Sequence, residues 1–310
     1  MKPITWQEFR SRYTEEALCF LAESTQFKVA GILDSIERII SPNKLRDLTA
    51  AAISRWAAQR RSEVADSTIR GNLAYIKAAL KWAHSQGFLK VVPEIRLPKR
   101  AKGQKVMKGR PITGEEFERM LDAAGGEGVR ETEAAGVPLR FFITGLWHSG
   151  LRLQEAMGLS WDSDSPDCIS LDFSQDFPMF MIPANSEKAH QDRLLPMAPE
   201  FARMLQSVPE SDRTGKVFKG IPESSEAVSK AITAIGKDAN VVVNKKPLKY
   251  ASAHDLRRSF GERWASRVTS AVLMQMMRHE SIHTTMRYYV GRNAQAVARE
   301  IWAATPAVVF

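Results

Sequence analysis

The chain has 310 residues, 44% of them hydrophobic and 25% charged, which suits a folded protein of about two domains. Its 44 lysines and arginines against 35 aspartates and glutamates leave a net charge of +9, favouring a polyanionic partner such as nucleic acid over a neutral one. Two distant cysteines, Cys19 and Cys168, exclude a disulfide scaffold and a zinc module and point to a reducing compartment; an N-terminus bearing Glu8, Glu15 and Glu16 is neither signal peptide nor spanning helix, so neither export nor a membrane is expected.

From Thr5 to about Phe88 the pattern is helical. Phe9, Tyr13, Ala17 and Phe20 recur at three- and four-residue steps, predicting a first helix over Trp6–Leu21. A second is predicted over Gln26–Ile40, ending before Ser41-Pro42-Asn43 because proline disfavours helix in the residue before it. Leu48-Thr49 opens a third through Ile53, Trp56 and Ala57, and Asp66 or Ser67 caps a fourth that runs past Leu73, Ile76, Leu80 and Trp82 to a stop at Gly87. Residues 96–110 then contain seven basic and no acidic side chains, among them Lys99, Arg100, Lys102 and Lys105. Such a run reads either as a solvated tether or as a linker lying against phosphates. Thr113 followed by Glu116 is a capping-box signature, so a new helix begins there.

The second half mixes elements. Phe141–His148 and Leu153–Leu159 are helical, Cys168–Asp172, Met179–Pro183 and Arg193–Pro196 read as short strands, and helical patterns return at Ala227–Ile235, His254–Ser266 and Thr269–Met277. The expected fold is mainly α with a small antiparallel β-sheet: a helical domain over residues 1–95, a basic linker over 96–110, and an α+β domain over 111–310.

Five stretches of that half concentrate chemistry: Ser149-Gly150-Leu151-Arg152 with Glu155, Glu187-Lys188 before Arg193-Leu194-Leu195-Pro196, His254-Asp255-Leu256-Arg257, Arg278-His279, and Thr284-Thr285-Met286-Arg287-Tyr288. A phosphodiester is anionic and resists nucleophiles, so positioned cations are needed on its oxygens. Arginine suits this because its charge is permanent and its fork grips two oxygens. Each fragment alone has a bland reading: a surface His-x-x-Arg pair, a salt-bridged arginine, an exposed lysine, a packing tyrosine. Their order and spacing together are similar to those of the tyrosine recombinase (phage integrase) family. His254 and Arg257 match its His-x-x-Arg, His279 stands nine residues before Tyr288, Arg152 follows Ser-Gly-Leu, and Lys188 precedes Arg193-x-x-Pro by five. The sequence departs from the family at Arg278, where glycine commonly precedes the second histidine; that leaves the local backbone open, or adds a phosphate contact.

The resemblance covers most of the chain and implies a helical core-binding domain of SAM-like type followed by a catalytic domain. It implies that Tyr288 attacks the scissile phosphate to leave a 3′-phosphotyrosine, that Arg152 and Arg257 bind the phosphate, that Lys188 is the general acid, that His254 is the base or proton shuttle, and that His279 donates to a phosphate oxygen. Glu155 becomes an orienting partner. Neither ATP nor a metal is implied, so no cofactor is expected. Tyr289 is the rival nucleophile, set about 100° round a helix from Tyr288. Arg70, Lys77 and Lys81 of the fourth helix, the linker lysines and Arg100, and Lys245, Lys246 and Lys249 are assigned to DNA backbone contacts.

The partners implied are double-stranded recombination sites, a homotetramer assembled on them, and in some relatives an accessory DNA-bending protein, all in a cytoplasmic, nucleoid-associated setting. Ile301, Trp302 and the apolar residues 307–310 either dock on a neighbouring protomer or cover the protein's own core. The helical pattern begins almost at Thr5, so a separate N-terminal arm-binding domain is not expected. Two rivals remain: a type IB topoisomerase, and a DNA-binding protein of this fold without catalysis.

Overall fold

A computed structural model describes residues 4–98, 109–125, 136–162, 168–184 and 193–288. The chain divides into two compact units, residues 1–105 and 106–310.

In the first unit α1 (Trp6–Glu16) is capped by the Thr5 hydroxyl, which accepts the Glu8 amide at 3.1 Å. The chain leaves the helix at Ala17 and makes a short 3-10 turn, Leu18–Phe20, instead of continuing to Leu21. That break changes the phase, so that Leu18 is buried while Phe20 is left in solvent. Next, α2 (Glu23–Ile40) ends at Ser41 in the left-handed region, and α3 (Ala50–Arg60) is capped by Thr49. α4 (Asp66–Ser85) starts with Ala65 in the capping position, because the Asp66 carboxylate is engaged by Arg61 at 2.9 Å. Trp6, Phe9 and Tyr13 of α1 pack with Trp82 of α4 and Phe88, with ring centroids 5.2–6.2 Å apart. Trp56 is fully buried, its indole donating to Ser35 Oγ at 3.1 Å, so the largest side chain of α3 brings no unsatisfied donor inside.

The second unit opens with α5 (Gly114–Gly125), whose start carries the expected capping box: the Glu116 amide donates to Thr113 Oγ1 at 3.1 Å and the Thr113 amide to the Glu116 carboxylate at 2.9 Å. α6 (Gly136–Ser149) is apolar on most sides and lies against α5 and α10 (Ala253–Ala265), burying Phe142, Ile143 and Leu146. The short α7 (Leu153–Met157) follows a tight turn. Strands β1 (Ser170–Asp172), β2 (Met179–Ile182) and β3 (Arg193–Pro196) form an antiparallel sheet in that order, with Leu171, Phe180 and Leu195 in register on its buried face. Alternation puts Met181 and Leu194 on the opposite, exposed face. α8 (Pro199–Gln206) and α9 (Ser225–Asp238) complete the core. A two-stranded ribbon absent from the sequence expectation, β4 (Val242–Lys245) and β5 (Leu248–Tyr250), leads into α10, followed by α11 (Ser270–Met276) and α12 (Ile282–Tyr288).

Among the described residues no helix is long and apolar enough to cross a membrane, and no three His, Cys, Asp or Glu side chains cluster as metal ligands.

Gly150, in the turn before α7, has φ +65° and faces the Phe260 ring of α10 so closely that a Cβ would run into it. Gly150→Ala therefore combines a left-handed non-glycine residue with over-packing, and should destabilise the second unit by about 2–4 kcal/mol in urea unfolding; an unchanged midpoint would show that Phe260 yields freely.

Candidate active site

Three segments meet at the site. The first is the turn before α7. Ser149 Oγ accepts the Leu151 amide at 3.1 Å, Gly150 turns the chain, and Arg152 becomes the capping residue of α7 with its amide donating to Glu155 Oε2 at 2.6 Å. The Arg152 side chain folds back on the same carboxylate, Nη1 to Oε1 at 2.8 Å, and stays half exposed. The second segment is α10. Its start is a capping box in which the Ser252 amide and hydroxyl both donate to Asp255 Oδ2, at 3.1 and 2.6 Å. The third is the turn between α11 and α12, residues 277–281.

Arg257 ties the three together. Its guanidinium is buried, and it donates to the carbonyls of Gly150 and Met277, one from each turn. Arg152 reaches the same turn, Nη2 donating to the Arg278 carbonyl at 3.1 Å. Main-chain oxygens thus restrain both forks without cancelling charge, while Arg152 in addition shares the Glu155 carboxylate. His279 feels the charge of both. Burial, with repulsion from Arg257 and Arg152, pushes its imidazole down to about 4. His254, one turn before Arg257, is pushed down to about 4 as well, first by burial of much of the ring and then by Arg258, with Asp255 opposing. His254 keeps contact with solvent, and with both pKa values lowered both imidazoles are neutral near pH 7.

Of the predicted site residues, Arg152, His254, Arg257 and His279 come together here, and Tyr288 is the last residue of α12, the helix that leaves the same turn. Lys188, Tyr289, the tail after Tyr288, and Lys99, Arg100, Lys102 and Lys105 lie outside the described residues. Lys77 and Lys81 are exposed on α4, and Arg70 donates to the Pro98 carbonyl at 2.8 Å.

Arg278 departs from its expectation. It does sit where a glycine would be easy, at φ +47°, but its side chain is buried and ion-paired with Glu155 Oε2, so a phosphate contact is not its place in this structure. Glu155 therefore divides its two oxygens between Arg152 and Arg278. Lys249 is likewise engaged inside, 2.7 Å from the fully buried Asp255, which also meets Arg258 at 2.5 Å. Arg110, from the basic run, pairs with Glu116 at 2.7 Å and donates to the Val242 carbonyl at 3.0 Å. Lys245 and Lys246 remain exposed. Two residues escaped the sequence reading. Asp255 stands three after Ser252, the same signature that marks Thr113 and Glu116, and was legible; Thr285, whose Oγ1 lies 2.9 Å from His279 Nδ1, left no signal beyond its position in a helix.

Two fixed guanidiniums and two neutral imidazoles are thus gathered beside a helix that ends in a tyrosine. The chain matches the phage integrase family over residues 110–295 and belongs to that family of site-specific DNA recombination proteins. Comparison with curated proteins returned no match. Among solved structures, a lambda integrase dimer bound to a COC′ core site is similar with TM-score 0.68 and 15% identity, over 94% of this chain and 97% of that one. The Tn1549 transposon integrase in complex with transposon right end DNA is similar with TM-score 0.68 and 17% identity, over 95% and 97%. A lambda integrase tetramer bound to a Holliday junction gives TM-score 0.67 and 13% identity, over 94% and 79%. At these identities the likeness is one of fold.

Glu155→Ala should leave Arg278 buried without its carboxylate and destabilise the second unit by on the order of 3 kcal/mol in urea unfolding. A change near zero would mean that water replaces the carboxylate at no cost. For the histidines, a folded-state pKa depressed below the unfolded value means that the unfolded chain binds more protons between about pH 6.5 and 4. Stability should therefore fall as pH drops through that window, and the His254→Gln, His279→Gln double variant should show a shallower fall; equal slopes would refute the depression.

Proposed function

We propose that this protein is a site-specific DNA recombinase that cleaves and rejoins strands through a 3′-phosphotyrosine at Tyr288. The observation that supports this best is the shared anchoring of Arg152 and Arg257 on the turn that leads into α12. In this reading the two guanidiniums hold the non-bridging oxygens of the scissile phosphate and stabilise the charge that builds up on them. They also favour the phenolate of Tyr288, a poor nucleophile at its ordinary pKa near 10.

The Tyr288 phenolic oxygen forms the new bond to phosphorus as the bond to the 5′-oxygen breaks. The phenolic proton passes to His254, whose neutral imidazole has a lone pair to receive it. Lys188 gives a proton to the departing 5′-oxygen, and His279 donates a hydrogen bond to a phosphate oxygen. The reverse attack, by the 5′-hydroxyl of the partner strand, rejoins the DNA and frees Tyr288. The bond energy stays in the phosphotyrosine, so the strand exchange is balanced without ATP.

Residues 1–95 serve in this reading as a core-binding domain, 96–110 as a linker that adds phosphate contacts through Lys99, Arg100, Lys102 and Lys105, and 111–310 as the catalytic domain. Arg70, Lys77 and Lys81 lie within about 20° of one another's mean direction on α4, giving one face for a DNA backbone. The DNA-bound integrases of like fold, one of them tetrameric on a Holliday junction, support recombination sites as the partner and a homotetramer as the working assembly.

Nicked suicide duplexes tiling the DNA that flanks the gene test this. Wild type should form a covalent protein–DNA adduct on one of them and Tyr288→Phe should form none. An adduct that survives Tyr288→Phe moves the nucleophile to Tyr289; tight duplex binding by wild type with no adduct anywhere in the tiling favours the non-catalytic DNA-binding reading.

A further inference from the structure

We propose that Thr285 fixes the tautomer of His279, its hydroxyl donating to Nδ1 so that Nε2–H is the donor presented to the scissile phosphate. This makes Thr285 a positioning residue for strand cleavage, and it rests on the reading of His279 given above.

The argument begins with what a phosphate oxygen requires. It accepts hydrogen bonds and cannot donate them, so a histidine that holds it must offer an N–H. An imidazolium would offer two, but Arg152 and Arg257 beside His279 and its burial favour the neutral ring. A neutral ring has one N–H and one lone pair, and only one tautomer serves. The wrong one turns a lone pair toward an anionic oxygen.

Thr285 is the neighbour placed to select between the tautomers. Its Oγ1 is 2.9 Å from Nδ1, and the residue is fully buried. A buried hydroxyl has a proton that needs an acceptor. With Nδ1 bare, that proton has one, and the ring proton falls to Nε2. With Nδ1 protonated, the hydroxyl oxygen accepts that N–H instead, and the buried hydroxyl proton has to find an acceptor other than the imidazole. The low dielectric around a buried pair sharpens the preference.

The surrounding backbone makes the contact possible. Arg278 in the left-handed region swings the chain so that the His279 amide returns to the Met274 carbonyl at 3.0 Å, which sets the ring over α12. Thr285 stands on α12 three residues before Tyr288, about one turn away, so a single helix orients the histidine and carries the nucleophile.

Thr285→Val keeps the shape and removes the hydroxyl, while Thr285→Ser keeps the hydroxyl. Ring ¹⁵N chemical shifts of histidine-labelled full-length protein near pH 7.5 report the tautomer, with His279→Gln identifying the resonance. Wild type and Thr285→Ser should show a protonated Nε2 and a bare Nδ1. Thr285→Val should give a mixed tautomer and slow single-turnover adduct formation by about tenfold or more, the scale of weakening one positioned donor to the phosphoryl group, with duplex affinity within about twofold of wild type. Thr285→Ser should restore the rate.

A protonated Nδ1 in wild type overturns the proposal, and so does a Thr285→Val protein with unchanged tautomer and rate. If Thr285→Val does not fold, the wild-type tautomer and the Thr285→Ser rate decide. Wild type with the expected tautomer but no adduct on any duplex overturns the phosphotyrosine reading, and with it the role of Thr285 in cleavage, while leaving the hydrogen bond in place.

Discussion

The arrangement of the catalytic unit depends on how one buried guanidinium is satisfied. Arg257 cannot lose its charge, and it lies inside the protein, so its donors must find acceptors. Two of them are main-chain carbonyls, Gly150 from the turn before α7 and Met277 from the turn after α11. Carbonyl partners have a consequence that carboxylates would not: they hold the fork and leave the net positive charge intact. The same contacts join α10 to two segments more than a hundred residues apart in sequence, so the tertiary packing of the unit is what brings the candidate site together.

Glu155 supplies the balancing negative charge, and its division between two arginines explains a sequence oddity. A glycine before His279 would take the left-handed backbone with little strain. Arg278 takes it with strain, and its side chain goes inward to Glu155. The backbone carbonyl of the same residue accepts from Arg152. One residue thus contacts the Arg152–Glu155 pair from both its side chain and its main chain, so an exposed, half-free arginine gains a second anchor.

Much of this was legible in the sequence because the signals were local or repetitive. The 3.6-residue pattern marks α2, α4 and α10, the short apolar run at Met179–Ile182 marks a strand, and Thr113 with Glu116 marks a helix start. The grouping of Arg152, His254, Arg257 and His279 was legible because residue type and spacing together match the family's pattern. What escaped depends on partners distant in sequence. Phe20 continues the α1 pattern, yet the turn at Ala17 buries Leu18 in its place. Lys249 has the look of a surface lysine until α10 brings Asp255 beside it, and β4 and β5 are too short to stand out. Arg278 reads as a cation for DNA because nothing in its neighbours reveals Glu155.

The electrostatics divide the site into two kinds of group. The arginines keep their charge wherever they sit, and the protein uses main-chain oxygens to aim them. The histidines keep no fixed charge, and the same arginines hold them neutral: repulsion from Arg152 and Arg257 adds to burial at His279, and Arg258 and Arg257 add to it at His254. A neutral imidazole among cations retains a lone pair to take a proton or an N–H to give one, according to its tautomer. In the proposed mechanism the cations that hold the phosphate therefore also prepare the groups that move protons around it, and the orientation of His279 passes to an uncharged neighbour, the Thr285 hydroxyl, which steers a proton without altering the field.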